Sequence, residues 1–150
     1  MVPQPRAKVF AFFADAATLE SLTPPSLRFT ISTPLPIHMR AGAVIDYRLH
    51  LFGWPLHWRT LIESFEPETR FVDVQTQGPY ALWRHLHVFE DVPASEQGPG
   101  GTLVLDRVEY ALPLGPLGAL VHRIFVARQL RAIFDFRHQA MERLLAPDRV

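Results

Sequence analysis

Two histidines, His85 and His87, are separated by a single residue in a segment where side-chain character alternates. Alternate residues of a β-strand share one face, and their Cα atoms lie about 7 Å apart, so both imidazoles are expected on the same side of a sheet. A carboxylate such as Asp106, in the next alternating segment, could orient either imidazole as a general base. Tyr47 or Tyr110 could then protonate an enolate. These residue types together suit a cyclisation or a dehydration.

The histidine pair has two other interpretations. Two histidines and one carboxylate, here Asp106, form the ligand set of many divalent metal sites. More commonly, each imidazole hydrogen-bonds to a buried carboxylate or hydroxyl, which Asp73, Asp106 or Tyr110 could supply. We therefore expect no metal and no cofactor, and we retain His85, His87 and Asp106 as candidate catalytic residues.

Several classes of function lack their usual signals in this chain. It has 15 basic and 15 acidic residues and no cysteine, which excludes a strong field for nucleic acid, a disulfide framework and a cysteine nucleophile. The sequence contains no P-loop, dinucleotide fingerprint, nucleophile elbow or HExxH motif. No apolar run approaches the roughly 20 residues of a membrane span, so we expect a cytoplasmic protein without stable membrane insertion.

The elements that must position these residues follow from the hydrophobic pattern. A helical period predicts α-helix from Pro5 to Leu22, with Asp15 or Thr18 capping a second short helix. A period of two then predicts six consecutive antiparallel strands. These cover Leu27 to Thr33, Ala43 to Phe52, Leu56 to Phe65, Phe71 to Gln77, Ala81 to Glu90, and Thr102 to Leu112.

The last third of the chain predicts one long helix from Gly115 to Ala146, which would cover the apolar face of the meander. One apolar face of this helix runs from Val126 to Leu145. The residues from Leu117 to Ile124 lie nearly opposite, so the helix either breaks near Phe125 or its first turns contact another surface. That patch could be a lid, a contact with a partner helix, or core.

One helix cannot fill a wide curved sheet, so the α+β arrangement predicts a cavity. Strand alternation and the helix face nominate aromatic and polar side chains as its lining, the usual composition of a site for a small apolar molecule. The ligand-binding residues predicted in this way are Tyr47, Trp58, Trp83, His85, His87, Phe89, Asp106, Tyr110 and Phe134.

Several phrases of the sequence resemble a known superfamily. They are Val9 to Asp15 with Leu22-Thr23-Pro24-Pro25, Phe71 to Gln75, Gly78-Pro79-Tyr80, Trp83 to Phe89, and the C-terminal helix. In this order they are similar to the helix-grip superfamily of START domains, the birch-pollen allergen, polyketide cyclases and coenzyme Q-binding proteins (the SRPBCC group), and look like its bacterial cyclase/dehydrase branch.

The resemblance covers nearly the whole chain and implies a single START-like domain over residues 1–150. It implies a curved antiparallel sheet wrapped around the C-terminal helix, with a deep apolar cavity between them. Alternation leaves the direction of the strand Phe71 to Gln77 open, and the resemblance implies that Asp73 and Gln75 point into this cavity as further ligand-binding residues. It also implies a strand before the first helix, yet only four residues precede Pro5. Either the start is truncated or the sheet has an open or shortened edge.

Three functions remain open at this stage. The first is binding or carrying of a lipid, isoprenoid quinone or polyketide-like molecule. The second is a cyclase or dehydratase in which His85, His87 and Asp106 transfer protons. The third is a protein-interaction module, including a homodimer, built on the first part of the C-terminal helix.

Overall fold

The computed structural model describes residues 1–51, 53–95, 100–113 and 126–146. Within these residues the order is a helix, six strands and a second helix. The helices are α1 (Arg6–Ala14) and α2 (Ala127–Leu144). The strands are β1 (Thr30–Ile31), β2 (Val44–Leu51), β3 (Trp54–Glu66), β4 (Arg70–Gln77), β5 (Leu82–Val92) and β6 (Gly101–Ala111).

The six strands form one curved antiparallel sheet in the sequential order β1 to β6. Short connections between consecutive strands produce this order, since two antiparallel neighbours need only a tight turn. Gly53 occupies the β2–β3 turn with φ +83°, a backbone conformation that glycine adopts without steric cost. The α+β prediction and the predicted strand meander are thereby confirmed.

Among the strands, the bounds of β1, β3 and β5 differ most from the sequence-based prediction, by two to three residues at one or both ends. β1 has only two residues, because Pro25–Leu27 form a 3₁₀ turn and Arg28 then takes a left-handed conformation with φ 43°. Trp54 and Pro55, expected in a turn, begin β3 and pair with the end of β2.

Helix boundaries differ as well. α1 ends at Ala14, and Asp15 caps a 3₁₀ segment, Ala16–Leu19, by accepting from the Ala17 N–H at 2.9 Å. Leu144, assigned to the apolar face of the last helix, is 45% exposed. The predicted helical region from Gly115 to Phe125, with the patch from Leu117 to Ile124, lies outside the described residues.

The main core lies between α1, the middle of the sheet and α2. Phe10 and Phe13 of α1 pack edge-on against Phe89 of β5, each at 5.2 Å between ring centroids. Ala140 and Met141 of α2 close the same cluster from the other side. These contacts fix both helices against the strand that carries the two histidines.

The first residues attach to the free edge of β6. Val2 and Thr102 exchange two backbone hydrogen bonds of 2.8 Å, and the Thr102 hydroxyl donates to the Gln4 carbonyl at 2.8 Å. This single bridge stands where the resemblance implies a strand, so the residues before α1 cover only a short part of that edge.

Gly101→Ala is expected to disrupt this bridge. An added Cβ would overlap the Val2 carbonyl oxygen and approach Pro3 Cα to 3.0 Å, so backbone would have to move. We expect a loss of about 1–3 kcal/mol in unfolding free energy and faster hydrogen exchange at Val2 and Thr102, measurable by NMR. Gly53→Ala, which meets nothing within 4 Å, should leave exchange at these two amides unchanged.

No helix in the described part of the chain is both long and apolar enough to cross a membrane.

Candidate functional site

A cavity of about 170 Å³ lies between the concave face of the sheet and α2. Its wall is mostly apolar and comes from α1, the residues that follow it, β2 to β5, and α2. Apolar and aromatic side chains that line it include Phe13, Leu22, Phe29, Ile45, Tyr47, Leu49, Trp58, Ile62, Trp83, Leu130, Ile133 and Phe134. The cavity is also lined by two charged residues, Asp73 and Arg137, and by two histidines, His85 and His87.

One part of the wall is an aromatic group organised by Thr60. The Tyr47 hydroxyl lies 3.1 Å from Thr60 Oγ1, and the Trp58 indole N–H donates to the same oxygen at 3.1 Å. Tyr47 and Trp58 are directly opposed on β2 and β3, and their rings stack at 5.9 Å. Burial raises the pKa of Tyr47 far above its usual value, so its hydroxyl stays protonated.

Another part of the wall belongs to a buried cluster of two imidazoles and two carboxylates, which we call the His-Asp cluster: Asp73, His85, His87 and Asp106. The first three line the cavity. Strand register creates the cluster, because Asp73 is opposed to His85 across β4–β5 and His87 to Asp106 across β5–β6. The histidine side chains are only 6% and 3% exposed. Four side chains from three strands thus meet at one point.

Each imidazole of the His-Asp cluster contacts both carboxylates. His85 Nε2 lies 3.2 Å from Asp106 Oδ1, and His87 Nε2 lies 3.0 Å from Asp73 Oδ2, both in hydrogen-bonding geometry. His85 Nδ1 lies 3.6 Å from Asp73 Oδ2. His87 Nδ1 lies 2.7 Å from Asp106 Oδ1, at an angle outside hydrogen-bonding geometry.

The pKa values of the two histidines shift in opposite directions. Burial lowers the pKa of His85, and the neighbouring His87 lowers it further. Burial alone would lower the pKa of His87 as well, but the adjacent Asp106 and Asp73 carboxylates raise it above the ordinary value. Burial alone would raise the pKa values of both aspartates, yet their imidazole contacts hold both below the usual range. Both carboxylates are therefore ionised at neutral pH.

Ring packing immobilises the histidines. The two imidazoles lie 3.8 Å apart between centroids, and His87 stacks on Phe71 at 4.2 Å. Phe134 of α2 contacts His85 edge-on at 5.8 Å. Rotation of either imidazole would therefore displace a packed aromatic ring.

Arg137 contributes to the cavity wall from α2. Its guanidinium lies 5.3 Å from the Phe13 ring centroid, and its Nε atom is buried without a hydrogen-bond acceptor among the described residues. The positive charge lowers the pKa values of Asp73 and Asp106. Arg137 is the fixed positive charge of the cavity wall in the described part of the chain.

The structure places most of the nominated binding residues at the cavity and four elsewhere. The Gln75 side-chain amide donates to the Tyr80 carbonyl at 2.7 Å and accepts from the Tyr80 N–H at 3.2 Å. These two hydrogen bonds stabilise the β4–β5 turn. Phe89 is 1% exposed inside the main core. Asp106 stands behind the histidines, and Tyr110 packs against Tyr80 and Trp83.

Sequence reasoning missed several lining residues. Arg137 is one of them, and its spacing of three from Phe134 places both on the same side of α2. Tyr80, which lies between two predicted strands, is another, and burial raises its pKa to about 12. Leu19, Leu27, Phe29 and Met39 come from irregular segments, where no period indicates direction.

Comparisons with known proteins bear on the fold. No family model matches the chain, and no curated protein matches it. Solved structures do: TTHA0849 from Thermus thermophilus is 19% identical with a TM-score of 0.64, covering 96% of this chain and 91% of that one. The fold is a helix-grip fold.

Two further helix-grip structures agree over the same length. CV1439 from Chromobacterium violaceum is 14% identical, with a TM-score of 0.66 over 99% of this chain and 94% of that one. Ara h 8.0201 is 18% identical, with a TM-score of 0.59 over 96% and 91%. At such identities the likeness shows the fold alone.

Proposed function

We propose that this protein binds a hydrophobic small molecule in the cavity between the sheet and α2. The observation that carries the proposal is the composition of the wall: aromatic and aliphatic side chains on most sides, with Asp73, His85, His87 and Arg137 grouped on one side. Binding of hydrophobic ligands is typical of the helix-grip fold. An apolar wall with a few convergent polar groups favours a ligand with one polar end.

The volume of the cavity indicates what it can hold as it stands. At about 170 Å³ it is comparable with an apolar cavity of roughly 150 Å³ that holds benzene. A group the size of a single ring therefore fits in the cavity without movement of the wall. A lipid, an isoprenoid quinone and a polyketide-like compound each offer a ring or chain segment of this width.

A cavity-filling substitution tests the location of binding. Ile133→Trp places a larger side chain into the cavity, and we expect it to weaken binding of an uncharged fluorescent naphthylamine probe by about 10-fold or more. Leu144→Trp, on the exposed side of the same helix, is the matched control and should bind like the wild type. Equal affinity in all three proteins would contradict the cavity as the binding site.

The ligand itself can be identified by native mass spectrometry of the purified protein, followed by extraction of whatever it carries. A stoichiometric apolar compound that Ile133→Trp fails to retain is the expected result. A protein that carries no compound and binds no apolar probe would overturn the proposal.

A second candidate function is proton transfer on the bound molecule. The observation that favours it is that both imidazoles line the cavity and each contacts two carboxylates, the arrangement that orients a general base. Tyr47, which also lines the cavity, would be the proton donor, whereas Tyr110 lies away from it. His85→Gln or His87→Gln should then abolish turnover and leave ligand affinity largely intact; equal loss of both would count against this role.

A further inference from the structure

The His-Asp cluster has two distinct sides. His85 Nδ1 and His87 Nε2 both face Asp73 Oδ2, at 3.6 and 3.0 Å. The opposite nitrogens, His85 Nε2 and His87 Nδ1, both face Asp106 Oδ1, at 3.2 and 2.7 Å. One aspartate therefore meets one nitrogen of each ring, and the other aspartate meets the remaining nitrogen of each ring.

Two neutral imidazoles cannot satisfy four such contacts with protons. Each neutral ring has one N–H and one lone pair, and an ionised carboxylate only accepts. The two rings together have two N–H groups for four nitrogen–oxygen contacts. In the other two contacts, whatever the tautomers, a nitrogen lone pair faces an oxygen lone pair. If His85 donates from Nε2 to Asp106 and His87 keeps its proton on Nδ1, then His85 Nδ1, His87 Nε2 and Asp73 Oδ2 converge with no proton among them.

The geometry points to a binding site for a divalent first-row transition metal ion, such as Zn²⁺, held by Asp73, His85 and His87. The three donor atoms lie within 4.8 Å of one another, and all three residues line the cavity. Imidazole and carboxylate donors suit such ions, whereas Mg²⁺ prefers oxygen alone. This inference does not depend on the proposed function.

Asp106 completes the site from outside. Metal-bound histidines usually donate the second ring N–H to a carboxylate, which fixes the tautomer and the direction of the coordinating lone pair. Asp106 Oδ1 stands at the second nitrogen of both rings. Asp106 is thus a positioning residue, and the metal ligands are Asp73, His85 and His87.

Charge and access also fit a cation. The cluster contains two carboxylates that are 16–17% exposed, and Arg137 is the fixed cation beside them in the described part of the chain. A divalent ion with three protein ligands keeps open positions, and here these would face the cavity. A nitrogen bound to metal has no lone pair for a proton, so this site and a general-base role exclude each other.

The test is metal binding by the full chain after chelator treatment and dialysis. We expect about one equivalent of Zn²⁺ in a competition titration with a chromophoric chelator, and none of Mg²⁺. His85→Gln, His87→Gln and Asp73→Asn should each weaken Zn²⁺ binding by more than about 100-fold, and Asp106→Asn by about 10–100-fold. Far-ultraviolet circular dichroism will show which variants fold.

Matched controls come from exposed histidines with acidic neighbours. His57 lies 3.2 Å from Asp46, and His138 lies 3.3 Å from Glu142. His57→Gln and His138→Gln should retain wild-type affinity. If these substitutions remove Zn²⁺ while His85→Gln leaves it bound, or if the wild type binds no Zn²⁺, the metal site is wrong and His87 holds a proton instead.

A measurement on the wild type protects the test against misfolded variants. X-ray absorption of the Zn²⁺-loaded protein should show two imidazoles and oxygen ligands at about 2.0–2.2 Å. A first shell with fewer than two imidazoles would overturn the assignment.

Discussion

Phe89→Ala is expected to lower the free energy of unfolding by about 3–5 kcal/mol, as large-to-small substitutions of buried phenylalanine do. Phe89 is 1% exposed, and its ring contacts Phe10, Phe13 and Phe71. Truncation would remove the common contact of a helix and two strands. Because this cluster holds α1 against β5, the cavity wall should loosen as well.

Chemical denaturation monitored by tryptophan fluorescence measures this change. Trp54→Ala is the control, since Trp54 is 76% exposed and its removal should alter stability by no more than about 0.5 kcal/mol. A loss below about 1 kcal/mol for Phe89→Ala would show that Phe89 does not hold this core together. Binding of the apolar probe in Phe89→Ala, measured below the unfolding transition, reports on the cavity wall separately.

The sequence predicted those parts of the fold that have a regular period. Alternation in β2 to β6 identified the strands, and the sequential meander followed from their short connections. In β1 the same reasoning failed, because Arg28 adopts a left-handed conformation that period and propensity do not encode. Pairing there continues irregularly, with Thr33 Oγ1 accepting from the Asp46 N–H at 2.7 Å.

Strand register alone is enough to bring some of the candidate site residues together. His85, His87 and Asp106 were grouped because neighbouring antiparallel strands place alternate residues on one face, and the register opposes His87 to Asp106. Asp73 joins them by the same rule from β4. Alternation does not tell whether a residue on this face lines the cavity or lies in the core. Phe89 shares the face of the histidines but is buried within the core.

Helix residues were harder to place than strand residues. Arg137 is separated by two turns from Leu130, and both line the cavity, yet arginine is usually solvated, so its residue type does not predict this position. Its direction depends on how α2 crosses the sheet, which is a tertiary property. The long aliphatic stem allows its charge to reach the cavity from the edge of the apolar stripe.

Asp106→Leu is the second substitution expected to have a large effect, a loss of about 3–5 kcal/mol in unfolding free energy. Removing one member of a buried ionic group leaves the others without compensation, and that cost exceeds the value of the pair itself. Here His85 Nε2 loses its hydrogen-bond acceptor, and His87 Nδ1 loses the carboxylate that lies 2.7 Å away. Leucine cannot accept a hydrogen bond, so both rings would be free to reorient.

The measurement is denaturant unfolding in chelator-containing buffer, so that metal does not contribute to stability. Asp46→Leu is the matched control: Asp46 also has two basic neighbours, Arg59 at 2.9 Å and His57 at 3.2 Å, but these side chains are 47% and 39% exposed. Surface pairs of this kind contribute no more than about 1 kcal/mol. If the two substitutions cost the same, burial of the His-Asp cluster does not contribute to stability as argued.

A combined replacement distinguishes the contribution of the His-Asp cluster to stability from its role in binding. Adding Asp73→Leu, His85→Leu and His87→Leu to Asp106→Leu removes all four polar members of the cluster, and apolar replacement of a whole buried ionic group is often neutral or stabilising. We therefore expect the quadruple variant to regain part of the loss and still bind the apolar probe, but not Zn²⁺. Recovered stability would mean that two imidazoles and two aspartates are kept at the cavity for what they bind, since packing alone would be served better by leucine.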